Sequence, residues 1–288
     1  MNKLLDWSID EIKNELDNFI KIYSERPIRK NDFGMKVPHM FAFYFILKKN
    51  NPEFVIESGV YKGQSTWLIE KVLPNAKILS IDIKLHLREY ISKKAEYSDL
   101  DFKFHDLTNI NPDKTLAFFD DHQNCLERLK ECKWFGIKHV IFEDNYPSYK
   151  GDFYSLKQII SGSGYKVNKS VFFERLKGII IFLKFQFSSL FKNRYPFIDH
   201  HRFRSNHVAP NKTDLKYLNK NIDIYYEFPP IFQPEKNLAE DIDFSIYETK
   251  KPLLTDKEEK KYKIAHDEKN SYNWLTYIKL SLKISKII

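Results

Sequence analysis

Cysteine is scarce, with two residues in a chain of 288. Cys125 and Cys132 lie seven positions apart on one predicted helix, with no CxxC pair and no His/Cys spacing of the kind that binds zinc. The sequence therefore predicts neither a zinc site nor a disulfide framework. Both cysteines are expected to be core or surface thiols in a reducing compartment.

The sequence predicts neither a signal peptide nor a membrane span. Acidic residues interrupt the first apolar stretch, and no small-residue cleavage site follows it, so we expect a cytoplasmic protein. The most apolar segment, residues 171–192, is too short and too often interrupted by lysine to cross a bilayer. We interpret it as a buried helix, and the alternative is an amphipathic helix that lies on a membrane or covers a dimer interface.

The composition is that of an ordinary globular protein, with 42% hydrophobic and 30% charged residues. Disorder of the whole chain is therefore excluded. The net charge is +8, but lysine and arginine are spread over the whole length. This even spread gives little support to a nucleic-acid interface.

The first fifty residues are predicted to be helical. Ser8 and Glu11 have the spacing of a capping box, and apolar residues follow at helical spacing to about residue 23. A second apolar helix is predicted at 39–49. We interpret residues 1–50 as an N-terminal helical cover and residues 51–288 as one larger domain.

The larger domain alternates between short apolar runs and helical patterns. This alternation predicts βαβ units, and therefore an α/β protein with a Rossmann-like, doubly wound, mostly parallel sheet. The chain is predicted to continue, after strand five, with a helix near 152–161, an insertion at about 165–221, and closing strands at 222–230 and 271–282. The five earlier strands are predicted at 54–58, 77–82, 102–106, 116–121 and 139–144, with helices at 65–73, 86–97 and 122–134.

Acidic residues stand at the carboxyl end of all five predicted strands. Ligands of open parallel sheets bind at this edge, so we expect these side chains to converge on a functional crevice. They are Glu57, Asp82, Asp106, Asp120 with Asp121, and Glu143 with Asp144.

A loop suited to a cofactor follows the first strand. It reads ESGVYKGQST from Glu57 to Thr66, and Gly59 and Gly63 permit a tight turn and a close approach of backbone to ligand. It has no Walker lysine after the second glycine and lacks the dinucleotide glycine spacing. Glu57 would repel a pyrophosphate but suits a cofactor with a cationic amino-acid end, which favours S-adenosylmethionine over NAD.

The E-x-G-x-x-x-G order, with an acid after strand two, resembles motif I of class I S-adenosylmethionine-dependent methyltransferases. The resemblance extends from Phe54 to Asn145, and the final strand resembles that family's antiparallel one. It implies that the glycines and the first acid lie by the methionine part of the cofactor, the second acid holds the ribose, and the third meets the adenine amino group. The implied cofactor-binding residues are Glu57, Gly59, Gly63, Ser65, Thr66, Asp82, Asp106 and Asp120.

A second acidic cluster is predicted beside the position of the transferred methyl group. Carboxylates crowded together repel one another unless protons or a cation neutralise them, and Mg²⁺ is the expected cation. The arrangement resembles metal-dependent sugar O-methyltransferases of the macrocin type. This implies Asp120, Glu143 and Asp144 as metal ligands, and Asp121 and His122 as catalytic residues, with His122 as the general base. Glu143 replaces that group's usual aspartate, and His122 replaces an acidic base.

The predicted activity is O-methylation of a small-molecule acceptor, a sugar or a polyol, with S-adenosylmethionine and Mg²⁺ as cofactors. A nucleic-acid methyltransferase is one alternative, although FFDDHQ stands where a base-flipping NPPY-type motif would follow strand four. A non-catalytic protein that retains the fold is the other. Asn31, Asp32 and His39 are either part of a substrate lid or of an ordinary surface loop. Whether the chain forms a homo-oligomer is open.

Overall fold

The computed structural model describes residues 4–148, 150–163, 212–239 and 241–281. The apolar segment 171–192 and most of the predicted insertion therefore lie outside the described residues. The last ten positions of that insertion, Lys212–Asn221, form a helix that leads directly into a strand.

A seven-stranded sheet forms the centre of the protein, in the order β3-β2-β1-β4-β5-β9-β6. Strands β1 to β5 are parallel, and β9 runs antiparallel to both of its neighbours. The Rossmann-like, mostly parallel sheet with a reversed C-terminal strand is thereby confirmed. The strands are β1 Phe54–Ser58, β2 Lys77–Ile81, β3 Ala95–Ser98, β4 Thr115–Phe119, β5 His139–Phe142, β6 Ile222–Glu227 and β9 Thr276–Leu280, and a separate hairpin pairs β7 Lys236–Asn237 with β8 Ile242–Asp243.

Helices cover both faces of the sheet. One face packs against the N-terminal helices, and ring stacking of Phe43 on Phe118, 4.1 Å between centroids, marks this contact. The opposite face receives Ile56, Ala117 and Val140, because successive residues of a strand point to opposite sides. The helices are α1 Ile9–Asn14, α2 Leu16–Ser24, α3 Val37–Asn50, α4 Gln64–Val72, α5 Cys125–Trp134, α6 Leu156–Ser161, α7 Lys212–Asn221 and α8 Lys263–Asp267.

The N-terminal helices belong to the core. The predicted capping box is present, since the Glu11 backbone N–H donates to Ser8 Oγ and the Ser8 backbone N–H donates to Glu11. Helix α3 is buried along its whole length from Val37 to Leu47. Residues 37–50 are therefore one of the layers that cover the sheet.

The prediction of the third strand was wrong. Residues 102–106 begin with a short 3-10 turn, Phe102–Phe104, whereas β3 lies earlier at Ala95–Ser98. A strand at this position would place Phe102 and Phe104 on the same face, but Phe102 is fully buried while Phe104 is 67% exposed. An edge strand is only half covered, so β3 lacks the apolar run that the central strands have.

The helix predicted at 86–97 is also absent from the described structure. A 3-10 turn at Leu85–Leu87 is followed by extended chain into β3. The backbone N–H groups of Glu89 and Tyr90 donate to the Lys62 carbonyl oxygen, at 3.0 and 2.9 Å. This segment therefore supports the loop after β1 instead of forming a helix.

The order in which strands are added to the sheet reverses between β1 and β4, which are parallel neighbours. From β1 the chain proceeds outward through β2 and β3, then returns to β4 and continues to the other side. A crevice forms at the carboxyl ends of the strands at such a switch point. The loops after β1, β4 and β5 are therefore where a ligand is expected. Within the described ranges, no helix is long and apolar enough to cross a membrane.

Candidate active site

The loop after β1 is held by the acid after β2. Asp82 Oδ2 accepts hydrogen bonds from the backbone N–H groups of Val60 and Tyr61, at 2.9 and 2.8 Å, and its Oδ1 accepts one from Lys84 at 2.7 Å. A carboxylate offers about four acceptor positions, so one remains for a ligand hydroxyl. Asp82 thus shapes the loop and can also bind a ribose hydroxyl.

Both glycines of this loop adopt backbone conformations that favour glycine. Gly59 has φ of 99° and Gly63 has φ of 90°. A Cβ atom at Gly59 would overlap the carbonyl oxygen of Asp120, and one at Gly63 would overlap that of Tyr90. The loops after β1 and β4 are therefore in backbone contact, and Asp120 N–H donates to the Ser58 carbonyl at 2.7 Å.

Glu57 lies beneath the loop in a polar cluster. It is fully buried, and its Oε2 accepts hydrogen bonds from Thr66 Oγ1 at 2.6 Å and Ser80 Oγ at 2.7 Å. Burial raises the pKa of Glu57, and the hydroxyls of Ser65, Thr66 and Ser80 oppose that rise. Its other oxygen, Oε1, has no hydrogen-bond partner within the described part of the chain. A buried oxygen of this kind calls for a donor, and a cofactor amino group is one that fits.

Asp106 lies apart from these residues, because no strand ends at its position. It is exposed in a turn, where Oδ1 accepts from the backbone N–H and the hydroxyl of Thr108, at 3.0 and 2.7 Å. The strand end that motivated its predicted contact with adenine is absent.

Three side chains meet where β4 and β5 end. Asp120, His122 and Asp144 each present one ligand atom, and these atoms lie within 4.8 Å of one another. Burial and the charges of Glu143 and Asp144 raise the pKa of Asp120. Burial and Glu143 likewise raise the pKa of Asp144. Crowded carboxylates of this kind require either protons or a cation, so the donor set fits a divalent metal ion.

His122 does not begin a helix as predicted. Its φ is 52°, and helix α5 starts only at Cys125, capped by the Asn124 side chain. Its Nδ1 lies 3.0 Å from Oδ1 of Asp152. Burial lowers the pKa of His122, but the hydrogen bond to Asp152 and the charges of Asp144 and Asp152 outweigh this effect and raise the pKa. Because Asp152 occupies Nδ1, the other ring nitrogen, Nε2, is the one that can face an ion or a substrate.

Glu143 lies outside the group of three. Its Oε1 is 2.8 Å from Nδ1 of His39, and both side chains are buried. Its neighbour Asp144 instead accepts hydrogen bonds from the Tyr146 hydroxyl, at 2.8 Å, and from the Asn273 side-chain amide. His39, one of the predicted lid residues, lies in the first turn of α3 and reaches the site from the face of the sheet.

Asp121 is engaged by a buried arginine. Its Oδ2 accepts from Ser58 Oγ at 2.7 Å and from Arg128 Nε at 3.0 Å. Arg128 also bonds to Asp101 and Glu131. Burial lowers the pKa of Arg128, but Asp121 and these two carboxylates outweigh burial and raise it. Asp121 thus ties helix α5 to the end of β1, an arrangement that leaves it poorly placed to take a proton.

Sequence reasoning did not identify Asp152, Arg128 or Asn273. Asp152 lies thirty positions from His122 in the chain, and Asn273, just before β9, lies 129 positions from Asp144. No local spacing therefore reveals either contact. A signal for Arg128 did exist. A lone arginine one turn into a helix that follows two aspartates is placed to pair with them.

No protein-family model matches the chain, and no curated protein does. The sheet order and the single reversed strand agree with the fold that was expected from the sequence. Similar solved structures include CmcI with SAH (18% identity, TM-score 0.34, 49% of this chain and 78% of that chain). They also include the O-methyltransferase TomG from Streptomyces achromogenes in complex with SAM (14% identity, TM-score 0.35, 49% of this chain and 68% of that chain). A third is SAH-bound PaMTH1 from Podospora anserina (12% identity, TM-score 0.35, 49% of this chain and 73% of that chain). At these identities the chemistry of this chain has to be inferred from its own residues.

Proposed function

We propose that the protein is an S-adenosylmethionine-dependent O-methyltransferase that acts on a hydroxyl of a small sugar or polyol with the help of a divalent cation. The observation that carries the proposal is the meeting of Asp120, His122 and Asp144 at the switch point, directly beside the loop after β1. A carboxylate-rich cation site next to a cofactor loop suits the activation of a hydroxyl.

The cofactor is proposed to lie across the carboxyl ends of β1 and β2. Glu57 and Asp82 supply acceptors for its amino group and ribose hydroxyls, beneath and beside the glycine turn. Apolar side chains remain exposed at the adjoining ends of β2 and β3, namely Ile83 (58%), Leu100 (55%) and Phe104 (67%). They offer a surface for the adenine ring, and they make a contribution from Asp106 unnecessary.

We assign the cation to Asp120, His122 and Asp144 rather than to the predicted trio with Glu143. The Asp152–His122 contact has the form of the carboxylate–histidine pairs that orient metal-bound imidazoles. Carboxylates suit Mg²⁺ and Mn²⁺, so both should be tested. When bound, such an ion lowers the pKa of an acceptor hydroxyl.

The alternative for His122 is the predicted role of general base. The roles of metal ligand and general base can be separated by isothermal titration of the His122→Ala variant with Mn²⁺. Loss of Mn²⁺ binding supports a ligand. Retained binding together with lost turnover supports a base.

The proposed function is tested in two steps. First, we expect isothermal titration to show binding of S-adenosylmethionine. Second, we expect the protein to release S-adenosylhomocysteine when neutral monosaccharides and polyols are supplied with Mg²⁺. No binding at millimolar cofactor would favour a non-catalytic protein. Tight, salt-sensitive retention of single-stranded or duplex nucleic acid on filters would favour the nucleic-acid alternative instead.

Replacement of Asp82 should weaken cofactor binding. Asp82→Ala removes the acceptor for a ribose hydroxyl and for two loop N–H groups, so we expect S-adenosylmethionine to bind about 1 to 3 kcal/mol more weakly, roughly 5- to 150-fold. Titration of a variant whose thermal unfolding remains cooperative provides the measurement. Asp106→Ala is the comparison, and from its exposed turn we expect no change in affinity. If Asp106→Ala weakened cofactor binding as much as Asp82→Ala does, the result would support the predicted contact between Asp106 and adenine.

Replacement of Asp152 should act through His122. Asp152→Ala leaves the three ligand atoms in place but removes the partner that orients the imidazole, so we expect Mn²⁺ affinity to fall roughly 10- to 100-fold. Titration with Mn²⁺ measures this, with Asp106→Ala as a control acid outside the group. Equal Mn²⁺ affinity in both variants would show that Asp152 does not orient the site.

A further inference from the structure

The chain between β6 and β9 lies on the same edge of the sheet as the candidate active site. Strand β6 ends at Glu227 and β9 begins at Thr276, and these two residues are paired in the sheet. Thr276 also pairs with Phe142, the last residue of β5. Residues 228–275 therefore leave and re-enter the sheet next to the loop that carries Asp144.

This segment contacts the active-site loops directly. Asn273 donates to Asp144, a member of the candidate metal group. Lys150, two residues before Asp152, forms a 2.7 Å ion pair with Asp241 at the tip of the β7–β8 hairpin. The segment and the loop after β5 are thus joined at two points, at Asp144 and at Lys150.

A depression of about 570 Å³, widely open to solvent, lies on this segment, and it is called the cavity below. It could hold one or two sugar units on the surface of the protein without enclosing them. Gln233 and Pro234 line one side, and Leu238 and Phe244 line another. The Phe244 ring packs 5.2 Å from that of Trp274, so the cavity wall is continuous with the residue next to Asn273.

Charged groups around the cavity are already paired. Glu235 forms a 2.9 Å ion pair with Lys269, and Lys236 lies 3.6 Å from Asp243. Within the described chain, the charged side chains that line the cavity are therefore matched by opposite charge. An ionic ligand would have to break such a pair, so a neutral ligand suits the site better.

The remaining lining offers uncharged hydrogen-bonding groups and an apolar surface. The side-chain oxygen of Asn270 accepts the Glu235 N–H at 2.8 Å, so its NH₂ group is the end that can donate to a ligand. Gln233 and Ser245 add further polar ends. Leu238 is 87% exposed and provides an apolar contact. Hydroxyl-binding groups beside an apolar face match the two kinds of surface that a sugar ring presents.

We propose that this cavity binds the part of a neutral, polyhydroxylated acceptor that does not react, and so makes the segment 228–275 the specificity element of the enzyme. The inference rests on the proposed function, because it names the acceptor class of that site. Binding energy from a remote sugar unit would serve to place the reacting hydroxyl at the end of β5.

The test is saturation-transfer NMR and titration of the full chain with maltose, cellobiose and N,N′-diacetylchitobiose, and with glucuronic acid as a charged probe. We expect saturation transfer to at least one of the neutral disaccharides and none to glucuronic acid. The double variant Gln233→Ala/Leu238→Ala should bind the neutral sugar at least about tenfold more weakly, because it loses a hydrogen bond and an apolar contact. Ile246→Ala, also exposed (73%) but outside the lining, is the matched control and should bind as the wild type does.

The inference is overturned if none of the three neutral disaccharides shows saturation transfer, or if the double variant binds them as the wild type does. Preferred binding of glucuronic acid would also overturn it. S-adenosylmethionine titration of the same samples separates this failure from that of the proposed function. Cofactor bound with equal affinity by all three proteins leaves the methyltransferase proposal intact whatever the sugars do.

Discussion

Chelation of divalent cations should abolish methyl transfer while cofactor binding stays nearly unchanged. Asp120, His122 and Asp144 are close enough to share one ion, and burial together with the charge of Glu143 raises the pKa of both carboxyls. Excess EDTA should therefore lower turnover by about 100-fold or more. Mg²⁺ or Mn²⁺ added back should restore it. The measurements are release of S-adenosylhomocysteine and titration with S-adenosylmethionine.

Asp144→Asn should reproduce the effect of the chelator. The variant retains the size of the side chain and a partner for Tyr146, but it removes one of the two charges that attract the cation. Glu143→Gln is the comparison that separates the two ligand sets, because Glu143 is paired with His39 outside the group of three. Asp144 belongs to both ligand sets, so a loss of Mn²⁺ binding in Glu143→Gln as well as in Asp144→Asn would favour the trio expected from the sequence, whereas retained binding in Glu143→Gln favours the group with His122. Full turnover in excess EDTA would exclude a metal role for either set.

The central strands were predictable because their environment imposes a simple pattern. β1, β2, β4 and β5 are buried on both faces, so their sequences read as short apolar runs, and all four were located within two residues of their ends. Strand β3 lies at the edge of the sheet and pairs with β2 alone. Its sequence, AEYS, contains no apolar run. Its position is fixed by pairing with Ile78–Ile81, which is a tertiary contact.

The candidate site was predictable as a region, and less so as a set of ligands. Topology alone brings the acids after β4 and β5 to one edge. Which acidic side chains join the crevice depends on tertiary contacts that the sequence does not show. Glu143 pairs with His39 of helix α3, whereas Asp144 lies with Asp120 and His122.

Substitution of Gly59 should produce the largest loss of stability. Gly59→Ala places a Cβ atom on a residue with φ of 99°, where it also overlaps the carbonyl oxygen of Asp120. The backbone strain costs about 1 to 3 kcal/mol, and overpacking against backbone costs about as much again. We expect a loss of roughly 4 kcal/mol in the free energy of unfolding, measured by urea denaturation, and no detectable S-adenosylmethionine binding in the fraction that folds.

Gly162→Ala is the matched control for this effect. Gly162 also has positive φ, 68°, but an added Cβ would meet nothing within 4 Å among the residues that the structure describes. It ends helix α6, where alanine should cost only about 1 kcal/mol. The difference between the two variants therefore isolates the contact between the loops after β1 and β4. Equal destabilisation would show that positive φ alone accounts for the cost, and that these loops can separate without penalty. A larger loss at Gly59 would show that the cofactor loop and the Asp120 loop are held as one rigid unit, which is the condition for placing a methyl donor beside a cation-bound hydroxyl.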